Sequence, residues 1–147
     1  MAKMRNSRQE AIRWIVRNKS IRTQRDLVNE LQAEGYSCTQ ATASRDIADM
    51  GLRKLPEGIY VLAEDLHLQR MVAEFVTSVE CANNLVVIRT QPGTAPGVAA
   101  AVDAADFTEV MGSIAGNDTV LAISRSNGSA AMTCELMNKL RAVKRSV

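Results

Sequence analysis

Aromatic side chains, histidine and cysteine are all scarce in this sequence, and each scarcity closes off a class of explanation. Aromatics make up 3% of the 147 residues, so any packed interior must be aliphatic, which the 46% hydrophobic content can supply. The single histidine, His67, leaves no basis for a histidine-rich metal site or a histidine-based catalytic triad. The three cysteines, Cys38, Cys81 and Cys134, are odd in number and far apart, fitting neither a disulfide framework nor zinc-ligand spacing. No apolar run is long enough to span a bilayer, and no hydrophobic signal-peptide core is present. These absences predict a cytoplasmic, reduced protein with no membrane partner, no metal and no enzymatic role.

What is present is unevenly distributed. Residues 1–62 hold eleven basic and seven acidic side chains, a net of +4, whereas residues 63–147 carry a net of −2. A polyanion partner is therefore expected at the N-terminal end only. The stretch TQATASRDIADMGL at 39–52 is the most informative of that end. Ala43, Ile47, Met50 and Leu52 recur at roughly helical spacing and mark an inward face. Thr39 is placed to cap the helix and Gly51 to stop it. Gln40, Thr42, Ser44 and Arg45 are left outside. Such groups suit base edges and phosphates in a DNA groove, although a solvated surface helix would look the same in isolation.

The surroundings favour the groove. A loose basic arm over residues 1–7 leads to a helix from Ser7 to about Lys19, with Ile12, Ile15 and Val16 inward. A second helix begins at Thr23, whose TQRD start offers a capping signal, and ends at Gly35. After the 39–52 helix, LRKL at 52–55 and IYVL at 59–62 flank Pro56-Glu57-Gly58, a β-hairpin pattern that places Arg53 and Lys54 near phosphates. The first 62 residues thus read as a winged helix-turn-helix.

Residues 63–69, AEDLHLQ, are short and charged and are expected to be a linker. From residue 70 to 147 the pattern predicts a second domain. Strands are expected at 75–79, 85–88, 109–115 and 119–124. An alanine-rich helix at 95–105 tolerates Pro96 in its first turn. A final helix at 129–143 is expected to turn Met132, Leu136, Met137 and Leu140 inward. The whole is an α/β (α+β) chain, with two helices over a small antiparallel sheet in its second half.

Two stretches together resemble one known family. TQATASRDI at 39–47 is similar to the Ser-Arg recognition helix of bacterial arginine repressors. GSIAGNDT at 112–119 resembles their effector-site turn, usually written G-T-I-A-G-D-D-T, and PGTAPGVAAAVD at 92–103 resembles the helix between. The resemblance implies a homohexamer of two trimers, or a hexamer shared with a paralogue, with L-arginine as corepressor at the trimer–trimer interface. It also implies double-stranded operator DNA as partner, control of arginine biosynthesis or catabolism genes, and no other cofactor. Candidate effector residues are Gly97, Asp103, Ser113, Ala115, Asn117 and Asp118. Arginine needs carboxylates for its guanidinium, and Asp103 and Asp118 supply them. Asn117 replaces one member of the usual acid pair, which implies weaker arginine binding or a shift toward a neutral ureido side chain. A ligand-independent or paralogue-dependent DNA-binding protein of the same fold is the competing expectation.

Overall fold

Thr23 and Thr39 begin two helices in the same way, each turning its hydroxyl back to a free amide of the first turn. The computed structural model describes the backbone of residues 2–142 and the side chains of residues 7–142. The chain divides into two units after Ala63. The first contains α1 (Ala2–Asn18), α2 (Gln24–Ala33), α3 (Gln40–Asp49), β1 (Leu52–Lys54) and β2 (Tyr60–Leu62). At α2 the capping box is complete: Asp26 N donates to Thr23 Oγ1 at 3.0 Å, and Thr23 N donates to Asp26 Oδ2 at 3.1 Å. At α3, Thr42 N donates to Thr39 Oγ1 at 3.2 Å. Gly35 and Gly51, with φ of +90° and +66°, turn the chain out of these two helices.

The residues expected as a loose arm are helical from Ala2 onward, with Met1 outside the described residues. Ala2, Lys3, Met4 and Arg5 all favour helix, and nothing before Ser7 interrupts propagation. The inward stripe is as expected: Ile12 and Ile15 are fully buried, joined by Leu27, Leu31, Ala43 and Leu62. β1 and β2 pair antiparallel from Leu52↔Leu62 to Lys54↔Tyr60. Gly58, at φ +86°, donates its N–H to Leu55 O at 2.8 Å and closes the wing. Tyr60 N donates to Ile21 O at 2.8 Å, which ties the wing to the segment ahead of α2.

The second unit contains α4 (Ala63–Phe75), β3 (Val76–Ala82), β4 (Leu85–Thr90), α5 (Ala95–Ala105), β5 (Val110–Ala115), β6 (Thr119–Ser124) and α6 (Asn127–Ala142). Residues 63–69 are therefore not an extended linker. They form the first turns of α4, whose Leu68 and Val72 are buried in the second unit's aliphatic core. The strand expected from Phe75 begins one residue later, where α4 ends.

The sheet is antiparallel in the order β3-β4-β6-β5. One face is sealed: Val86 and Ile88 of β4 and Val120 and Ala122 of β6 are fully buried, together with Val98 and Val102 of α5 and Met137 of α6. The other face shows Leu85, Val87, Leu121 and Ile123 only partly covered, and Ile114 beside Leu121 is 64% exposed.

α6 corrects a second expectation. Met132 and Leu136 point outward, 63% and 37% exposed, while Ala130, Thr133 and Met137 face in and Leu140 packs partly. Ala130, Thr133, Met137 and Leu140 share one helical stripe at three- and four-residue spacing, and Met132 and Leu136 lie off it. Thr133 tolerates burial because its hydroxyl donates to Ser129 O at 2.9 Å.

Candidate DNA-binding face and effector site

Of the ten residues of α3, only Ala43 and Asp46 are buried. Its opposite side carries the polar residues that the spacing placed there. Gln40, Ser44 and Arg45 are exposed, and Thr42 is half-buried with its hydroxyl 3.0 Å from that of Thr39. On the wing, Arg53 and Lys54 are exposed, and the Lys54 ammonium lies 5.4 Å from the centre of the Tyr60 ring. The ring shields the lysine's apolar stem and leaves its charge at the surface. Arg22 Nη1 donates to Glu57 O at 2.9 Å and holds the wing turn in place.

α3 is anchored from beneath by charge. Arg8 of α1 donates to Asp46 through Nε at 2.6 Å and Nη2 at 3.1 Å, with Asp46 1% exposed. The hydrogen bond to Asp46 raises the Arg8 pKa above its ordinary value. Nearby, burial pushes the Cys38 thiol up, against the opposing pull of Arg8. The sequence reading missed this pair. Asp46 stands three residues after Ala43 on the inward stripe, which was the available signal, but its partner is 38 residues away.

In the second unit, backbone hydrogen bonds join the two motifs named for the effector. Asn117 O accepts from Gly93 N at 3.0 Å and from Ala95 N at 3.3 Å, and Asp118 O accepts from Thr90 N at 2.7 Å. The GND turn is thus held against the start of α5, with the side chains of Asn117 and Asp118 exposed. Asp118 Oδ1 accepts from the Thr119 hydroxyl at 3.1 Å, and that hydroxyl accepts from Arg89 Nη1 at 3.2 Å. Asp103 and Ser113 meet directly, Ser113 Oγ donating to Asp103 Oδ1 at 2.9 Å. Ala115 pairs with Val120 and packs against the core.

Gly97 admits a neighbour of its own chain: a Cβ there would lie 3.0 Å from the terminal methyl of Met71 on α4. Asp103 and Asp118 have separate partners, Ser113 and Thr119. One lies near the C-terminal end of α5 and the other beside its first residue, about 12 Å apart along the axis at ~1.5 Å per residue.

Residues 3–68 match the family model described as "Arginine repressor, DNA binding domain", and residues 72–140 match "Arginine repressor, C-terminal domain". This chain belongs to the arginine repressor family. Among its relatives, the arginine repressor of Carboxydothermus hydrogenoformans is 42% identical over 133 residues, covering 83% of this chain and 89% of its own. The arginine repressor of Moorella thermoacetica is 38% identical over 148 residues, covering 93% and 98%. That of Halothermothrix orenii is 36% identical over 149 residues, covering 94% and 97%. Each of the two arginine repressor domains falls on one structural unit, apart from a short overlap on α4. Among the described residues no helix is long and apolar enough to cross a membrane, and no cluster of three metal-ligating side chains is formed.

Proposed function

We propose that this chain is an arginine-responsive transcriptional regulator that binds operator DNA through its first unit and assembles through its second. The observation that carries the DNA half is the outward side of α3, a capped helix whose buried side packs against α2 and is paired to α1 through Asp46, and whose exposed side holds Gln40, Ser44 and Arg45. In this reading Arg45 contacts a base edge and Ser44 a base or phosphate. Gln40 and Thr42 lie at the helix start, and Arg53 and Lys54 of the wing meet the phosphates alongside. Replacing Arg45 by Ala is expected to cost about 1–3 kcal/mol of sequence-specific binding in a gel-shift titration at fixed salt. Wild-type affinity for that variant would remove α3 from the groove.

The effector half rests on the two carboxylates at opposite ends of α5. A single guanidinium does not span about 12 Å, and we assign the two acids to arginine sites completed by different copies of the chain. That fits L-arginine as corepressor between the trimers of a hexamer, with Asp118 and Asn117 presented by one copy and Asp103, positioned by Ser113, by another. The open sheet face around Ile114 and Leu121 supports self-association. Arginine bound between copies stabilises the assembly, and an assembly presents several winged units to one operator, so the second contact forms at high effective concentration.

One observation favours a second reading. The uncharged Asn117 weakens the anionic character of the turn, as a regulator that binds DNA without a ligand would permit. Arginine dependence of DNA binding separates the two.

A further inference from the structure

We propose that Arg8 and Asp46 are positioning residues for DNA recognition: their pairing sets the rotation of α3 about its own axis and so the aim of Ser44 and Arg45. This rests on the reading that α3 is the helix that enters the groove.

Apolar contact holds α3 in place only loosely. Its one fully buried apolar side chain is the single methyl of Ala43, while Ile47 and Met50 pack partly. Such contact sets which side of the helix faces in but tolerates small rotations, because apolar burial is not directional. The ion pair does the opposite. Two N–H groups of a planar guanidinium meet the two oxygens of one carboxylate, at 2.6 and 3.1 Å, and this fork tolerates little rotation. Arg45 and Ser44 precede Asp46 by one and two residues, and side chains step round a helix by about 100° per residue. Fixing Asp46 therefore fixes where both of them point. A rotation of about 20° displaces an extended arginine tip by roughly 2–3 Å, enough to lose a hydrogen bond.

The same turn of α1 also holds the entry to α3. Ser7 Oγ lies 3.0 Å from the Tyr36 hydroxyl, which donates to Ser7 O at 3.4 Å. Neighbouring residues of α1 thus grip the turn ahead of α3 and its middle. A buried ion pair is in general no more stabilising than apolar residues of similar volume. Its directionality is what an apolar pair cannot reproduce.

The test uses the full chain and two duplexes: one enriched by the wild type from a randomised pool, and one of scrambled sequence and equal composition. The readouts are the ratio of the two affinities, the salt dependence of binding and the melting temperature. Arg8→Lys keeps the charge but loses the fork, and the double variant Arg8→Met with Asp46→Leu replaces the pair by an apolar contact. Both are expected to melt within a few degrees of wild type or higher, to bind the scrambled duplex within about twofold, and to lose about tenfold of the affinity ratio.

In the double variant the salt slope stays at the wild-type value, because Arg8 faces Asp46 and not a phosphate. A slope reduced by about one, the signature of a lost phosphate contact, would overturn the inference. So would a wild-type affinity ratio in either variant. If the double variant does not fold, Arg8→Lys decides alone. Arg45→Ala is the control for the underlying reading: an unchanged ratio there dismisses α3 as the reading helix, whereas loss there with wild-type ratios for the Arg8 variants dismisses the positioning role only.

Discussion

Asn117 stands in a turn where the family resemblance leads one to expect an acid, and its surroundings limit what it can contribute. Its backbone carbonyl is engaged by Gly93 and Ala95 while its side chain is exposed, so the turn's shape does not depend on the side chain's charge. Asn117→Asp is therefore expected to keep the fold and restore one charge-assisted hydrogen bond to a guanidinium. Isothermal titration with L-arginine should show binding tightened by about five- to a hundredfold, on the order of 1–3 kcal/mol. Citrulline should gain nothing. Unchanged arginine affinity would mean that position 117 does not face the guanidinium.

At this scale the sequence was legible where a residue acts through its own neighbours. Thr39 and Thr23 cap helices as their positions promised. It was mute about partners: Arg8 and Asp46 are separated by 38 residues, and nothing local to either names the other. Gly97 fell between these cases. The sequence named it only as a candidate effector residue, and its neighbour Met71 could not be read there.

Among the elements, α4 shows most plainly why composition misleads. AEDLHLQ is charged and short, which placed the start of the second domain at residue 70, whereas the second unit begins at Glu64. The helical signal is the i, i+4 pair Leu68 and Val72, which becomes visible only when residues 63–75 are taken as one segment. Both side chains are buried, at 1% and 0% exposure. Leu68→Ala should accordingly destabilise the second unit by about 2–5 kcal/mol, whereas a linker residue would change stability by less than about 0.5. Urea unfolding followed by far-UV circular dichroism measures the loss. Fluorescence of Trp14, the single tryptophan and a residue of α1, separately reports the first unit. A transition unmoved by the substitution would return residues 63–69 to the status of a linker. α6 was legible in part: Met137 and Leu140 face in as expected, but the rest of the buried stripe is Ala130 and Thr133 and not Met132 and Leu136.

For the whole molecule, two units with separate cores divide the labour, one basic and one mildly acidic. The fold class and the division were legible because hydrophobic periodicity and turn residues are local signals. The proposed assembly rests on family resemblance, and what the structure adds is an aliphatic sheet face left open at Ile114, Leu121 and Ile123. Ile114→Glu places a charge on that face and on an edge strand, so sedimentation should give a smaller species than the wild-type oligomer. Equal sedimentation of both would remove that face from the interface. The most direct measurement of the central claim is the affinity of the full chain for its selected duplex with and without millimolar L-arginine, at one salt concentration. The account predicts that arginine tightens sequence-specific binding and that citrulline at the same concentration does less. Identical affinity with and without arginine would contradict it.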